Sequence, residues 1–538
     1  MTGADPAGRP AAAAPPADGS AYNLAAALLE PNLARGEAVA LYVAGGSGGA
    51  GCQVSYADLA QRVARTSNAL RGLDVRAEER VVLVLPDSPE LVVMLLAVLQ
   101  VGAVAVPLNP ALTGAALAYQ VADSRARLAV GAGAALTELA RLVGDSGCEL
   151  RTVASWDAPG GGGVTDLAGL AAAADTTTEV AATTTDDIAV FLYSSGTTGR
   201  PKAVAHVHGA PAHSYHGFAR GVLGITAADR TFSVPKMFSP SGLGNSVFFP
   251  FFAGGSSVLL REPAAGPALA AAVRDGQPTL LFGRPANYRE LLDHVPGEQL
   301  RARLAVCSGE RLDPRLREQF VARYGVEVLE GTGSTEALHI YLCNRPGRAR
   351  PGSSGEVVPG YAARLVDEDG RQVSPGEVGD LQLRGGSTFL CYWRNRAKTR
   401  ETLVGEWVNT GDKYRQDADG YFWHAGRSDD MWFDEGWVSP VEIEEALETH
   451  PAVREAAVTR TTVDDAGPGV LACVVLATPD AAAPDAAPDD LPDELADMVE
   501  KRLGERRRPR WVRVVPSLPR TVSGKVQRYR LGDLVRTA

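Results

Sequence analysis

Between residues 55 and 190 the apolar positions follow two alternating rhythms. In "YADLAQRVARTSNALRGL" (56–73) they recur every three to four residues, the period of a helix with one buried face. In "RVVLVLP" (80–86) and "AVAVPL" (103–108) they form short β-branched runs, which read as buried strands. Alternation of the two predicts βαβ units and a mostly parallel sheet. The stretch "LVVMLLAVLQVGAVAVP" (91–107) is nearly all apolar, yet it falls short of the roughly 20 residues of a membrane span. It also contains Gln100 and Gly102 and ends at Pro107, so it predicts a buried helix running into a buried strand.

A Gly- and Ala-rich stretch, "WDAPGGGGVTDLAGLAAAADTTTE" (156–179), reads as a surface connection. Beyond it, "GGSSVLL", "PTLLFGRPANYRELLDH" and "RLAVCSGERLDPRLREQFVARYGVEVLEGTGSTE" repeat the strand-then-helix rhythm. From about residue 355, in "ARLVDEDGRQVSPGEVGDLQLRGG", short strands separated by Gly turns predict an antiparallel β region. The tail predicts a helix at "PVEIEEALETH" and strands at "VREAAVTR" and "GVLACVVLAT", with a Pro-, Ala- and Asp-rich loop at 479–494. The expected fold is therefore α/β: a large N-terminal domain of parallel-sheet βαβ subdomains plus an antiparallel β region, then a small α+β C-terminal domain. The expected boundaries are a disordered leader over 1–21, the large domain over 22–428 and the small one over 429–538.

Composition narrows the function. At 538 residues the chain is too long for one ordinary core. A formal net charge of −11, with few aromatics interleaved among Lys and Arg, argues against nucleic acid as a partner. Six cysteines (52, 148, 307, 343, 391 and 473) form no CxxC pair, which fits neither a zinc site nor a disulfide framework and predicts a reducing cytoplasm. The first residues, "MTGADPAGRPAAAAPPADGSA", lack the apolar core of a signal peptide.

The stretch "FLYSSGTTGRPKAVAHVHG" (191–209) carries the first chemistry. It is not a Walker A loop, because no Ser or Thr follows Lys202 to hold magnesium. Backbone N–H groups from Gly196 and Gly199, with the hydroxyls of Ser194, Ser195, Thr197 and Thr198, can still cradle phosphates.

With that stretch, several others in order resemble the adenylate-forming enzymes: acyl-CoA synthetases, peptide-synthetase adenylation domains and firefly-type luciferases. The resemblance covers roughly residues 22 to 538. It implies that SSGTTGRPK is a loop closing over the ATP phosphates and that "EGTGSTEALHIYL" holds the nucleotide through Gly331, Thr332, Gly333 and Ser334. Thr335 would bond the α-phosphate and Glu336 would hold magnesium. "CSGE", with Ser308, Gly309 and Glu310, would wall the adenine. Asp412 of "NTGDKY" and Arg427 of "HAGRSDD" would meet the ribose, and Lys525 of "PRTVSGKVQR" would be the adenylation lysine. The residue types suit the reaction. Attack of a carboxylate on the α-phosphorus joins two anions and expels pyrophosphate, so the site needs positive charge and a metal. ATP, Mg2+ and coenzyme A are the implied cofactors, and a carboxylic acid is the substrate.

Within that family the nearest likeness is to the benzoate-CoA ligase branch, including His339 after the magnesium acid. The acid-binding stretch "VPKMFSPSGLGNSVFFPFF", with Phe238, Ser239, Ser241 and Gly242 as implied acid-binding residues, departs from it, placing Ser239, Pro240 and Ser241 where that branch tends to place bulky aromatics. Lost aromatic volume opens space. The expected acid is thus bulkier than benzoate: a polycyclic, terpenoid-type or aryl acid of secondary metabolism. A second departure follows the implied hinge of a mobile C-terminal domain, Asp429. "DDMWFDEGWVSP" puts Phe433 at the position of a thiol-tunnel lysine, adds Asp434 and Glu435, and is one residue short after Gly436. Coenzyme A is polyanionic, so these acids oppose its entry. The alternative expectation is an adenylation-only enzyme that passes its acyl-AMP to a separate thiolation enzyme or an acyl carrier protein.

Overall fold

The computed structural model describes residues 15–45, 51–194, 200–434, 437–462, 467–477, 490–520 and 526–536. The chain divides into two compact units, Met1–Ala362 with Arg384–Val408, and Ala363–Leu383 with Asn409–Ala538.

The first unit is built on two large sheets. One has eight strands, with Ile188–Ser194, Val104–Pro107, Arg80–Val84 and Leu128–Gly131 running parallel in that spatial order. The alternation of apolar runs foreshadowed this core, since strands covered on both faces are apolar throughout. At one end Lys202–Val207 returns antiparallel to Ile188–Ser194, and Cys391–Tyr392 pairs antiparallel outside it. The helix Pro89–Gln100 and the strand Val104–Pro107 occupy the apolar stretch as expected. Ser88 caps that helix on the Leu91 N–H, and almost every side chain on it is buried. Among the described residues no helix is long and apolar enough to cross a membrane.

The second sheet has nine strands. Leu280–Gly283, Leu304–Ser308 and Val328–Gly333 are parallel neighbours, and Ile340–Cys343 turns back antiparallel to the last of them. Their C-terminal ends carry the CSGE and EGTGSTE segments.

The stretch 156–179 is more than a surface connection. Val164–Asp166 adds a parallel edge strand beside Thr152–Ser155, and the helix Leu167–Ala173 buries Leu167 and Ala171 in the core. Asp166 caps that helix on the Gly169 N–H, a signal hidden by the surrounding glycines. Of the expected leader, residues 1–14 lie outside the described residues, while the Ser20 carbonyl accepts from the Thr185 N–H.

In the β region expected after residue 355, the strands Tyr361–Val366 and Val378–Gly385 are neighbours in one sheet with Trp407–Gln416, which forms an antiparallel hairpin with Phe422–Arg427. The tail contains the helix Pro440–Glu448 and the antiparallel strands Val453–Thr462 and Pro468–Leu476, with Trp511–Val514 parallel to the latter. A second helix, Leu491–Leu503, begins inside the stretch read as a loop. Leu495 and Val499 of that helix join Ile443 and Val474 in one buried apolar cluster.

Candidate active site

Ser194 and Lys202 end the two arms of the antiparallel hairpin and face each other in register. Ser195, Gly196, Thr197, Thr198 and Gly199 lie outside the described residues. The Lys202 ammonium stands 4.9 Å from the ring centre of Tyr392, and the Tyr392 hydroxyl donates to Oε1 of Glu336 at 2.7 Å. The Phe389 N–H donates to the Glu336 carbonyl at 2.7 Å, so strand-end residues 389–392 hold Glu336 by backbone and side chain. Thr335 is held from the other side: its carbonyl lies 2.8 Å from Nε2 of His206, on the second hairpin arm. A carbonyl only accepts, so Nε2 carries the proton. Burial drives the His206 pKa down to about 4 and keeps the ring neutral.

The Gly331–Glu336 segment needs its small residues. A Cβ on Gly333 would sit 2.7 Å from the His339 carbonyl oxygen across the strand pair. The Ser334 hydroxyl accepts from the Ala337 N–H and Thr332 donates to Ser354, while Leu338 takes a left-handed backbone at φ 65°. Such a conformation in a branched residue is strained and concentrates at working sites. On the neighbouring strand Ser308 is half-buried, and Gly309, at φ 91°, lies against Arg284. Burial lowers the Arg284 pKa, and nearby Glu310 works against that.

His339 is enclosed by aromatic rings. Phe218 stacks on it at 5.1 Å between centroids and 29°, and Phe249 meets it edge-on at 4.5 Å. Burial lowers the His339 pKa to about 3, opposed by the backbone of Ser241. Phe218 belongs to the π-helical turn Tyr215–Arg220, and a second such turn, Gly244–Phe248, leads into Phe249. π-Helical turns mark functional sites often. A Cβ on Gly244 would come 2.7 Å from Cδ2 of His339, so glycine permits the close approach.

Ser239 caps the short helix Pro240–Leu243, accepting from the Gly242 N–H and donating to the Lys236 carbonyl. Its hydroxyl also lies 3.4 Å from that of Ser241, and Phe238 is half-buried on the same turn. Asp87 accepts from the Met237 N–H at 3.1 Å, and burial raises its pKa to about 6 against the pull of Lys236.

In the second unit Asp412 and Arg427 face each other across the hairpin, 3.3 Å apart. Arg427 also donates to the Thr410 carbonyl, and His424 lies 3.5 Å from Asp412. Burial works against the Arg427 charge, but Asp412 and Asp429 outweigh it and raise the pKa. Asp429 is exposed, 3.9 Å from Arg427. Trp432–Phe433 pairs with Trp437–Val438, and the Lys413 ammonium, paired with Asp380, stands 4.0 Å from the Trp437 ring centre. Asp434 is exposed, whereas Lys525, Glu435, Gly436 and the Phe433 side chain lie outside the described residues.

Among the described residues no cluster of three His, Cys, Asp or Glu side chains could form an all-protein metal cage. A single carboxylate such as Glu336 suits magnesium, which keeps waters and takes its remaining ligands from substrate phosphates. Tyr392, Phe218, Phe249, His206 and Arg284 were not singled out from the sequence. Each is an ordinary residue type far along the chain from the motif it supports.

Residues 30–393 match the family described as AMP-binding enzyme, and residues 442–525 match the AMP-binding enzyme C-terminal domain. A benzoate–CoA ligase of Thauera aromatica is 37% identical over 483 residues, 89% of this chain and 90% of the relative. Among solved structures, an anthranilate CoA ligase in complex with anthranoyl-AMP superposes with a TM-score of 0.87 at 34% identity, covering 96% of this chain and 98% of that one. A benzoate CoA ligase from Burkholderia xenovorans gives 0.85 at 36% identity, over 95% and 99% of the two chains.

Proposed function

Because the chain belongs to the AMP-binding enzyme family of adenylate-forming enzymes, we propose that it activates an aromatic carboxylic acid to its acyl-adenylate, with release of pyrophosphate, and then forms the thioester with coenzyme A. The observation that carries the reading is the Glu336 carboxylate held by the Tyr392 hydroxyl, whose ring faces the Lys202 ammonium of the phosphate hairpin. His339 packs directly between Phe218 and Phe249 three positions after Glu336, and an aromatic acid would lie against this apolar packing rather than inside it. The ligase names of the relatives, which act on benzoate and anthranilate, support the same substrate class.

Lys202 would lie along the outgoing phosphates as a point charge, with Ser194 beside it. Thr335 would bond the α-phosphate, and Gly331, Thr332, Gly333 and Ser334 would bring backbone close to the nucleotide. Ser308, Gly309 and Glu310 would line the adenine, and Asp412 and Arg427 would hold the ribose. Lys525 would neutralise the acid's carboxylate and the bridging oxygen. Glu336 would hold magnesium, which when bound neutralises phosphate charge.

The finer substrate reading is an acid bulkier than benzoate, given space by Ser239, Pro240 and Ser241. Phe238, Ser241, Gly242 and His339 would line that space. ATP–pyrophosphate exchange across benzoate, hydroxybenzoates, anthranilate and fused-ring acids tests both levels. Exchange with at least one aromatic acid, fastest with the fused-ring ones, is expected. Exchange with none overturns the function, and benzoate turning over as fast as any larger acid overturns the enlarged pocket alone.

A second reading, adenylation only, is favoured by the exposed Asp434 on the Trp432–Val438 hairpin. Its signature is acyl-AMP formed without acyl-CoA until a separate thiolation enzyme or carrier protein is added. Rapid acyl-CoA formation by the isolated chain overturns it.

A further inference from the structure

The helix Gly114–Ser124 lies outside the family motifs, yet three connections run from it to the phosphate and magnesium machinery. From its middle turn, the Tyr119 hydroxyl donates to the Pro201 carbonyl at 3.0 Å, one residue before Lys202. The Arg200 guanidinium also stacks on the Tyr119 ring, 5.4 Å from its centre. From its last turn, Asp123 accepts from the Tyr193 hydroxyl at 2.9 Å, one residue before Ser194, and that hydroxyl also reaches the Gln120 carbonyl at 3.0 Å. The two arms of the phosphate hairpin are thus tied to one helix, each at the residue just before Ser194 or Lys202.

The third connection goes to the metal side. The Asp123 carbonyl accepts from Nε1 of Trp393 at 3.0 Å, and Trp393 directly follows Tyr392, the residue that holds Glu336. The Trp393 N–H in turn donates to Ala203, the residue after Lys202. Burial raises the Asp123 pKa, and the Tyr193 hydrogen bond and the charge of Arg394 oppose that shift only in part. A half-buried carboxylate so committed to one hydroxyl fixes that hydroxyl in return.

We propose that Tyr119, Asp123 and Tyr193 are positioning residues for MgATP, setting the spacing between Ser194, Lys202 and Glu336. The inference rests on the reading of this hairpin and Glu336 as the phosphate and magnesium site. All three act through Ser194, Lys202 and Glu336. Their effect falls on nucleotide binding and leaves the aromatic enclosure around His339 unchanged, because that enclosure is built from Phe218 and Phe249 on other elements.

The test is ATP–pyrophosphate exchange in the full chain carrying Tyr119→Phe, Tyr193→Phe, or both, with KM determined separately for MgATP and for the acid. Removal of one hydrogen bond is expected to raise the MgATP KM about three- to tenfold, with the acid KM unchanged. The double variant is expected to lose more than either single one. A helix that serves stability alone gives variants with lower melting temperatures and a smaller active fraction but the wild-type KM for both substrates, and that result overturns the proposal. A parallel rise in the acid KM overturns it too. Tyr119→Phe removes a hydroxyl beside the exposed Arg200, so it carries the test if Tyr193→Phe folds poorly. Absence of exchange in the wild type overturns the functional reading and this inference together, whereas normal exchange with unshifted KM values overturns this inference alone.

Discussion

His339 shows what burial among rings does to a titratable side chain. Its pKa drops from 6.5 to about 3 because the charged imidazolium is denied water. In the unfolded chain the ring takes up a proton below about pH 6.5, while in the folded chain it stays neutral down to about pH 3. The unfolded state therefore binds more protons across that window, and stability falls as the pH falls through it. The cost is on the order of 1 kcal/mol for each pH unit. His339→Phe removes the term, so the stability of wild type relative to this variant is expected to decline steadily from pH 6.5 to pH 4. Denaturant titrations at several pH values check this, and a pH-independent difference contradicts the buried neutral ring. At this scale the sequence was uneven. Thr335, Glu336 and His339 were legible because they sit in one unbroken motif. Tyr392 and Phe218 were not, because a hydroxyl donated across 56 residues and a ring stacked across 121 leave no local pattern.

Among the elements, the π-helical turns on either side of His339 decide the shape of the enclosure. Gly244 opens the second of them and leaves no room for a methyl group, since a Cβ would lie 2.7 Å from His339 Cδ2. Gly244→Ala is expected to cost about 1–3 kcal/mol of stability by overpacking. Its acid KM is expected to rise while the MgATP KM holds, and an unchanged acid KM with normal folding contradicts the placement of the acid beside His339. Apolar rhythm revealed the strands and helices of the parallel sheets, because a strand buried on both faces and a helix buried on one have different periods. It concealed the strand Val164–Asp166 and the helix Leu167–Ala173, where glycine and alanine supply little apolar contrast. It also gave no hint of the π-helical turns, which differ from an α-helix by one residue in hydrogen-bond spacing.

For the whole molecule, the two compact units divide the proposed labour. The first holds the hairpin of Ser194 and Lys202, the Thr335–Glu336 turn and the ring enclosure of His339. The second holds the Asp412–Arg427 pair and the hairpin that starts at Trp432. Sequence motifs pointed to both sets of residues, since family motifs record chemistry directly. They could not supply the supports that hold these residues in place, which exist only once the chain is folded. The central claim is that a carboxylate oxygen of an aromatic acid attacks the α-phosphorus of ATP. Its direct test is turnover of benzoate, or of the best acid found, labelled with oxygen-18 in the carboxylate, in the presence of ATP and a thiol acceptor. The account predicts AMP carrying one labelled oxygen, left behind when the acyl group departs. AMP without label, or ADP as the nucleotide product, contradicts it.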